Sequence, residues 1–189
     1  MPTEYPGRSH LPAPDRDEAW ARRLFEKAVG GFYSTVLTPR GWRVETGERI
    51  EWLMESETKT PHIDEIFPKM QTDIVLEGPP DEAGRRHRTV IDTKFTEILK
   101  PGYHRTATLK SGYIYQIYAY LMSQERDGDP SSLNSSGLLL HPAVGEDVDE
   151  SAVIQGHRIH FATVDLAAES TAIRKRLINL ADDTATSLL

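Results

Sequence analysis

The sequence predicts an α/β fold, with one mixed central sheet flanked by helices. Three observations carry that expectation. Residues 70–77 and 88–95 each alternate apolar and polar positions and are rich in Ile and Val, with Gly78, Pro79, Pro80 and Gly84 breaking the chain between them. This is the pattern of two strands joined by a polar loop. A stretch from about Asp17, and another over residues 108–124, carry apolar residues three and four apart, as amphipathic helices do. The overall order of helix, strands, helix, strand, strand, helix suits a layered α/β domain.

The length of 189 residues suffices for one sizeable core, so a single domain is expected over residues 17–181. Residues 1–16, rich in Pro and polar groups, read as a flexible or surface-bound lead-in, and residues 182–189 as a fraying tail. The first helix is expected to bury Trp20, Leu24 and Ala28, with Val29 and Phe32 beside them. Asp15 or Asp17 is a candidate cap. Gly30 and Gly31 weaken its second half by about 1 kcal/mol each relative to Ala. A turn at Pro39-Arg40-Gly41 leads to one or two strands within residues 42–55, and residues 57–69 read as a loop. Residues 96–107 read as a basic loop and 127–136 as a linker. Residues 137–141 form a short continuous apolar run, expected as a buried strand, and 143–151 an acidic loop. Residues 157–164 alternate as a further strand, and 169–181 form the last helix.

Composition excludes several classes. The chain has no Cys, so it has neither disulfides nor thiolate zinc sites, which fits a reducing, cytoplasmic compartment. With 38% hydrophobic residues and no apolar run near the roughly 20 residues of a membrane helix, no membrane partner is expected. There is no basic and apolar N-terminal signal block. No Gly-rich phosphate loop and no G-x-S-x-G elbow is present, and the seven His are scattered without zinc spacing.

The chemistry gathers at the central strand pair. Side chains on a strand alternate between faces, so Asp92 and Lys94 share one face and Ile91 and Thr93 the other. If the strands pair, Asp73 converges with Asp92 and Lys94. Two carboxylates with nearby carbonyls suit a hard divalent ion, and a lysine beside them can orient a water or hold a phosphate oxygen. The overall charge is −7, yet residues 85–110 hold seven Lys/Arg (85, 86, 88, 94, 100, 105 and 110) against Asp92 and Glu97. That local excess of +5 suits a phosphate backbone. Gln116 and Tyr120, four apart on the second helix, can point an amide and a phenol at the strand pair. Glu26 lies off the centre of the first helix's apolar face.

The Asp73…Asp92-x-Lys94 spacing resembles the PD-(D/E)XK nuclease signature, which implies a restriction-endonuclease-like core. The helix LFEKAVGGFY (residues 24–33), the strands MQTDIVLE and TVIDTKF, the helix SGYIYQIYAYL (residues 111–121) and the strand GLLLHP (residues 137–142) resemble, in order, the McrC nuclease subunit of the McrBC system that restricts DNA with modified cytosine. The likeness spans roughly residues 20–164. It implies a Mg²⁺-dependent DNA endonuclease, with Mn²⁺ as a substitute. Asp73, Asp92 and the Thr93 carbonyl would be metal ligands, Lys94 the catalytic lysine, and Glu26 the helix acid that completes the site. Gln116 and Tyr120 match the Q-x-x-x-Y element of RecB-like nucleases. Arg85, Arg86, Arg88, Lys100, Arg105 and Lys110 are the expected DNA contacts. Thr72 stands where the generic signature has Pro. The family's partner is a McrB-like GTP-hydrolysing motor, and the roughly 19 residues ahead of the first helix weigh against that partner here. The other readings are a RecB-like nuclease of repair or mobile elements, and a non-catalytic DNA-binding or assembly module on the same fold.

Overall fold

A computed structural model describes residues 13–101 and 107–185. The helices are α1 (Ala13–Leu37), α2 (Ile63–Ile66), α3 (Ser111–Met122), α4 (Pro130–Leu133) and α5 (Ser170–Ala185). The strands are β1 (Arg43–Thr46), β2 (Arg49–Ile50), β3 (Met70–Gln71), β4 (Ile74–Glu77), β5 (Arg88–Thr93), β6 (Leu99–Pro101), β7 (Ala107–Leu109), β8 (Ser136–Pro142), β9 (Asp149–Ile154) and β10 (His157–Val164). Six strands form a mixed sheet in the order β1-β4-β5-β8-β10-β9. The β5–β8 and β8–β10 pairings are parallel and the others antiparallel. Two small ribbons, β2–β3 and β6–β7, flank it. No helix among the described residues is long and apolar enough to cross a membrane.

Strand periodicity divides the core into two layers. Ile74, Leu76, Ile91, Leu138, Leu140, Ala162 and Val164 meet α1 and α5 through Phe25, Val29, Tyr33, Leu37, Leu177, Leu180 and Ala181. Val90, Leu139, Ile159 and Phe161 meet α3 through Ile117, Tyr120 and Leu121. All of β8 is buried, as its continuous apolar run requires of a strand covered on both faces. At Gly137 a Cβ would lie 2.7 Å from Ile117 Cγ1, so only glycine lets α3 approach this closely. Asp92 has the parity of Val90 and faces the α3 layer, whereas Thr93 has that of Ile91.

Several expectations are corrected. The buried face of α1 is Phe25, Val29, Tyr33 and Leu37, whereas Trp20 is 65% and Leu24 50% exposed. Both sets have helical spacing, so periodicity alone did not choose between them; burial of the aromatic pair Phe25 and Tyr33 decides it. The helix starts at Ala13, so Asp15 and Asp17 lie within it, and it continues through Gly30 and Gly31 to Leu37. A Cβ at Gly30 would meet Thr46 Cγ2 at 2.8 Å, so the glycine permits packing on β1. The strand expected over residues 70–77 breaks at Thr72-Asp73 into β3 and β4. Within residues 51–55 there is no strand. Residues 107–109 form β7 rather than the start of α3, β9 occupies the end of the expected acidic loop, and α5 runs four residues past Ala181. Residues 1–12, 186–189 and the basic stretch 102–106 with Arg105 lie outside the described residues.

Candidate active site

The strand register builds the site. Ile74 pairs with Ile91, so Asp73, one residue before β4, stands across from Asp92. The break that frees Asp73 from the ladder lets its side chain do the pairing instead. Asp73 Oδ2 accepts from the Thr93 N–H at 2.7 Å and from the Thr93 hydroxyl at 2.8 Å. Backbone bonds from Gly47 N–H to the Asp73 carbonyl and from Thr72 N–H to the Glu48 carbonyl fix the turn. Asp73 is thus locked to the end of β5 by the residue between Asp92 and Lys94.

Asp92 is 1% exposed. Among the described residues its close cation is Lys94, whose Nζ lies 2.8 Å from Oδ1 and 2.6 Å from Oδ2. Only the Oδ1 contact has hydrogen-bond geometry; Oδ2 is ion-paired, sealed from solvent and without a hydrogen bond. Burial pushes the Asp92 carboxyl up to about 6. Lys94 pulls against that shift, and the negative fields of Asp73 and Glu26 add to it. Glu26 on α1 is likewise raised, first by burial and then by Asp73, with Lys27 and Lys94 opposing. Asp73, Asp92 and Lys94 therefore gather at the end of β5, and Glu26 on α1 lies within their field.

The α3 layer supplies a polar brace. The Gln116 amide donates to the Tyr120 hydroxyl at 2.8 Å, and that hydroxyl donates to the Gln71 carbonyl at 2.9 Å, two residues before Asp73. Tyr120 is 7% exposed, and its phenol is raised by burial, with Asp92 and Asp73 adding and the Gln116 amide and Lys94 opposing. The pair therefore ties α3 to the turn that carries Asp73.

Two neighbours, Tyr113 and His141, escaped the sequence reading. The Lys94 ammonium sits 5.3 Å from the centre of the Tyr113 ring, and Lys110 sits 5.7 Å from it. His141, wholly buried at the end of β8, packs its ring 5.7 Å from that of Tyr113. Its Nδ1 lies 2.8 Å from the Thr96 carbonyl, which only accepts, so Nδ1 carries the proton. Its Nε2 is buried with no hydrogen-bond partner among the described residues. Burial drives the imidazole down to about 4, with Lys110 and Lys94 adding and the Thr96 carbonyl opposing. The signal for His141 was its place in a continuous apolar run, where a polar residue is costly unless held.

The expected DNA contacts do not gather in one place. Arg85 is engaged by Asp81 at 2.9 Å, Arg86 donates to the carbonyls of Gly41 and Gly78, and Arg88 pairs with Glu48 at 2.8 Å. Arg88 opens β5, about 13 Å from Asp92 at four residues of strand, and Arg85 and Arg86 precede it. Lys110 lies near the carboxylates through Thr96 and Tyr113, and Lys100 is exposed on β6.

Among the described residues no group of three or more His, Cys, Asp or Glu side chains is gathered tightly enough to hold a metal by themselves. Mg²⁺ needs fewer: it is commonly held by one or two carboxylates, keeping several waters. The oxygen-only donor set of Asp73 and Asp92 fits such an ion, with Asp92 Oδ2 engaged by the Lys94 ion pair but by no hydrogen bond. A Ser135–His157–Glu125 chain resembles a hydrolase triad, with His157 Nδ1 3.2 Å from Ser135 Oγ and Nε2 2.8 Å from Glu125. Yet Nδ1 also lies 2.8 Å from the Ser135 carbonyl, so it carries its proton and has no lone pair for the hydroxyl. That chain is a buried pin between β10, β8 and the end of α3.

The described chain is therefore a mixed α/β protein with a buried carboxylate–lysine cluster at one end of its central strands. Neither family models nor curated proteins yield a match to it.

Proposed function

We propose that the chain is a Mg²⁺-dependent DNA endonuclease domain with a PD-(D/E)XK-type core, of the kind found in the McrC cleavage subunit. The observation that carries this reading is Asp92: a carboxylate buried to 1%, with one oxygen lacking a hydrogen bond, held against Lys94 and set across from Asp73. Burying charge this way costs several kcal/mol, and a purely structural pair gains little by it. Such perturbed groups concentrate at functional sites.

In this reading Asp73, Asp92 and the Thr93 carbonyl hold the ion, with Glu26 at the helix edge. Mg²⁺, or Mn²⁺ in its place, would supply a Lewis acid for the phosphate and an activated water. Thr93 keeps Asp73 in register by its N–H and hydroxyl. Lys94, steadied by Asp92 and the Tyr113 face, donates to a phosphate oxygen or orients the water. Gln116 and Tyr120 position the Asp73 turn. Their Q-x-x-x-Y spacing equally favours a RecB-like nuclease of repair or mobile elements as the second reading. Plasmid nicking that requires Mg²⁺ or Mn²⁺, stops with EDTA and is lost in Asp92→Asn is the expected result. A folded wild-type protein that binds DNA and never cuts it would instead mark a non-catalytic module.

A further inference from the structure

A second feature lies beside the Asp73 turn. A cavity of about 400 Å³ opens between the β2–β3 ribbon and residues 51–69. Ile50 and Met70, each 5% exposed, belong to the core at its base, and Trp52 and Phe67 form an aromatic wall. The two rings meet edge to face, 5.2 Å apart at 88°. The Trp52 indole N–H donates to the Pro68 carbonyl at 2.7 Å, so the wall is fixed before any ligand arrives. Arg49 and Lys69 are exposed members of the lining and have no side-chain partner among the described residues. Of the two acids that also line it, Asp64 is bound to Lys59 at 3.0 Å. The volume lies in the range of small-ligand sites, whose usual makeup is apolar walls with a few polar groups.

Chain continuity ties this cavity to the carboxylates. Met70 lines it, and Asp73 follows three residues later, at most about 10 Å along the chain. Aromatic faces stack on any base, and neighbouring cations take the flanking phosphates. We propose that this cavity receives an unstacked nucleobase of the DNA strand at the Asp73–Asp92 site, with Arg49 and Lys69 on adjoining phosphates. The inference rests on the nuclease reading above, and it concerns binding rather than cutting.

The test therefore omits divalent metal. A single-stranded oligonucleotide carrying 2-aminopurine is titrated in EDTA into the wild-type chain, Trp52→Ala, Trp52→Phe and the Arg49→Gln/Lys69→Gln double variant, each checked by melting. Wild type should quench the fluorescent base by stacking. Trp52→Ala should bind roughly 5- to 150-fold more weakly and lose the quench. Trp52→Phe should keep most of both, and the double variant should lower the salt slope by about 1.4. No binding by wild type would overturn the proposal. So would unchanged affinity and quench in folded Trp52→Ala, or an unchanged salt slope in the double variant should Trp52→Ala not fold. Loss of metal-dependent cleavage with these binding results intact would instead count against the nuclease reading alone.

Discussion

The two ends of β5 carry charge on the same sheet face and treat it in opposite ways. At its start, Arg88 keeps a side chain 25% exposed and pairs with an equally accessible Glu48. Just before it, Arg85 is absorbed by Asp81 and Arg86 by two carbonyls. Pairs in contact with water contribute roughly 0–1 kcal/mol and are common on any surface. At its end, Asp92 and Lys94 are 2% and 15% exposed, with Asp73 and Glu26 adding like charge. There the protein bears a desolvation cost that no packing requirement explains. Density of charge in sequence therefore marks one end of the strand, and burial of charge marks the other.

The largest expected effect concerns the buried end without metal. The Asp92 carboxyl is raised from 3.8 to about 6, so between those values the folded state holds a proton that the unfolded state has released. Stability from this group is present below about pH 4 and is lost as pH rises through 6. Asp92→Asn does not titrate, so its advantage over wild type should grow by on the order of 3 kcal/mol between pH 4 and 7 in EDTA. Urea unfolding at several pH values measures this, and parallel pH profiles for the two proteins would contradict it.

Lys94→Met comes next. It removes the cation that pulls the Asp92 carboxyl down, so the proton should bind more tightly and, in EDTA, the loss of stability with rising pH should move above pH 6. Cleavage should fall about 10²- to 10³-fold, the size typical of one lost electrostatic donor. Urea unfolding across pH in EDTA checks the first and single-turnover rates the second, and an unshifted stability profile would separate Lys94 from Asp92.

The α3 brace should matter less. Tyr120→Phe deletes the bonds to Gln71 and Gln116, costing about 1 kcal/mol, and should lower cleavage through the Asp73 turn. Gln116→Ala should lower cleavage with a smaller change in Tm, because Gln116 is only partly buried. Wild-type cleavage by folded Gln116→Ala would remove the brace from the account. Smallest of all is Arg85→Ala, which breaks an exposed pair with Asp81 and should leave Tm essentially unchanged.

Much of the sheet was legible because its strands announce themselves locally. Residues 157–164 alternate cleanly and form β10, and the apolar run of β8 is buried throughout. The D…D-x-K face was legible for the same reason: period two puts Asp92 and Lys94 together. What was hidden depends on contacts between distant positions. His141 meets Thr96 across 45 residues, and Tyr33 donates to the Leu177 carbonyl across 144. No local pattern records such pairings. The face of α1 was misread because two apolar stripes share one helix, and only the sheet beneath selects Phe25, Val29, Tyr33 and Leu37. A count of charge along the sequence also ignores partners: Asp81 and Glu48 lie outside the counted stretch yet pair with two of its arginines.

The central claim, that the buried end of β5 is a divalent-ion site and the basic end is not, is tested most directly by calorimetric Mn²⁺ titration of wild type, Asp92→Asn and Arg88→Gln. The account predicts one Mn²⁺ site in wild type, its loss in Asp92→Asn, and unchanged affinity in Arg88→Gln. Mn²⁺ binding that survives undiminished in folded Asp92→Asn would contradict it.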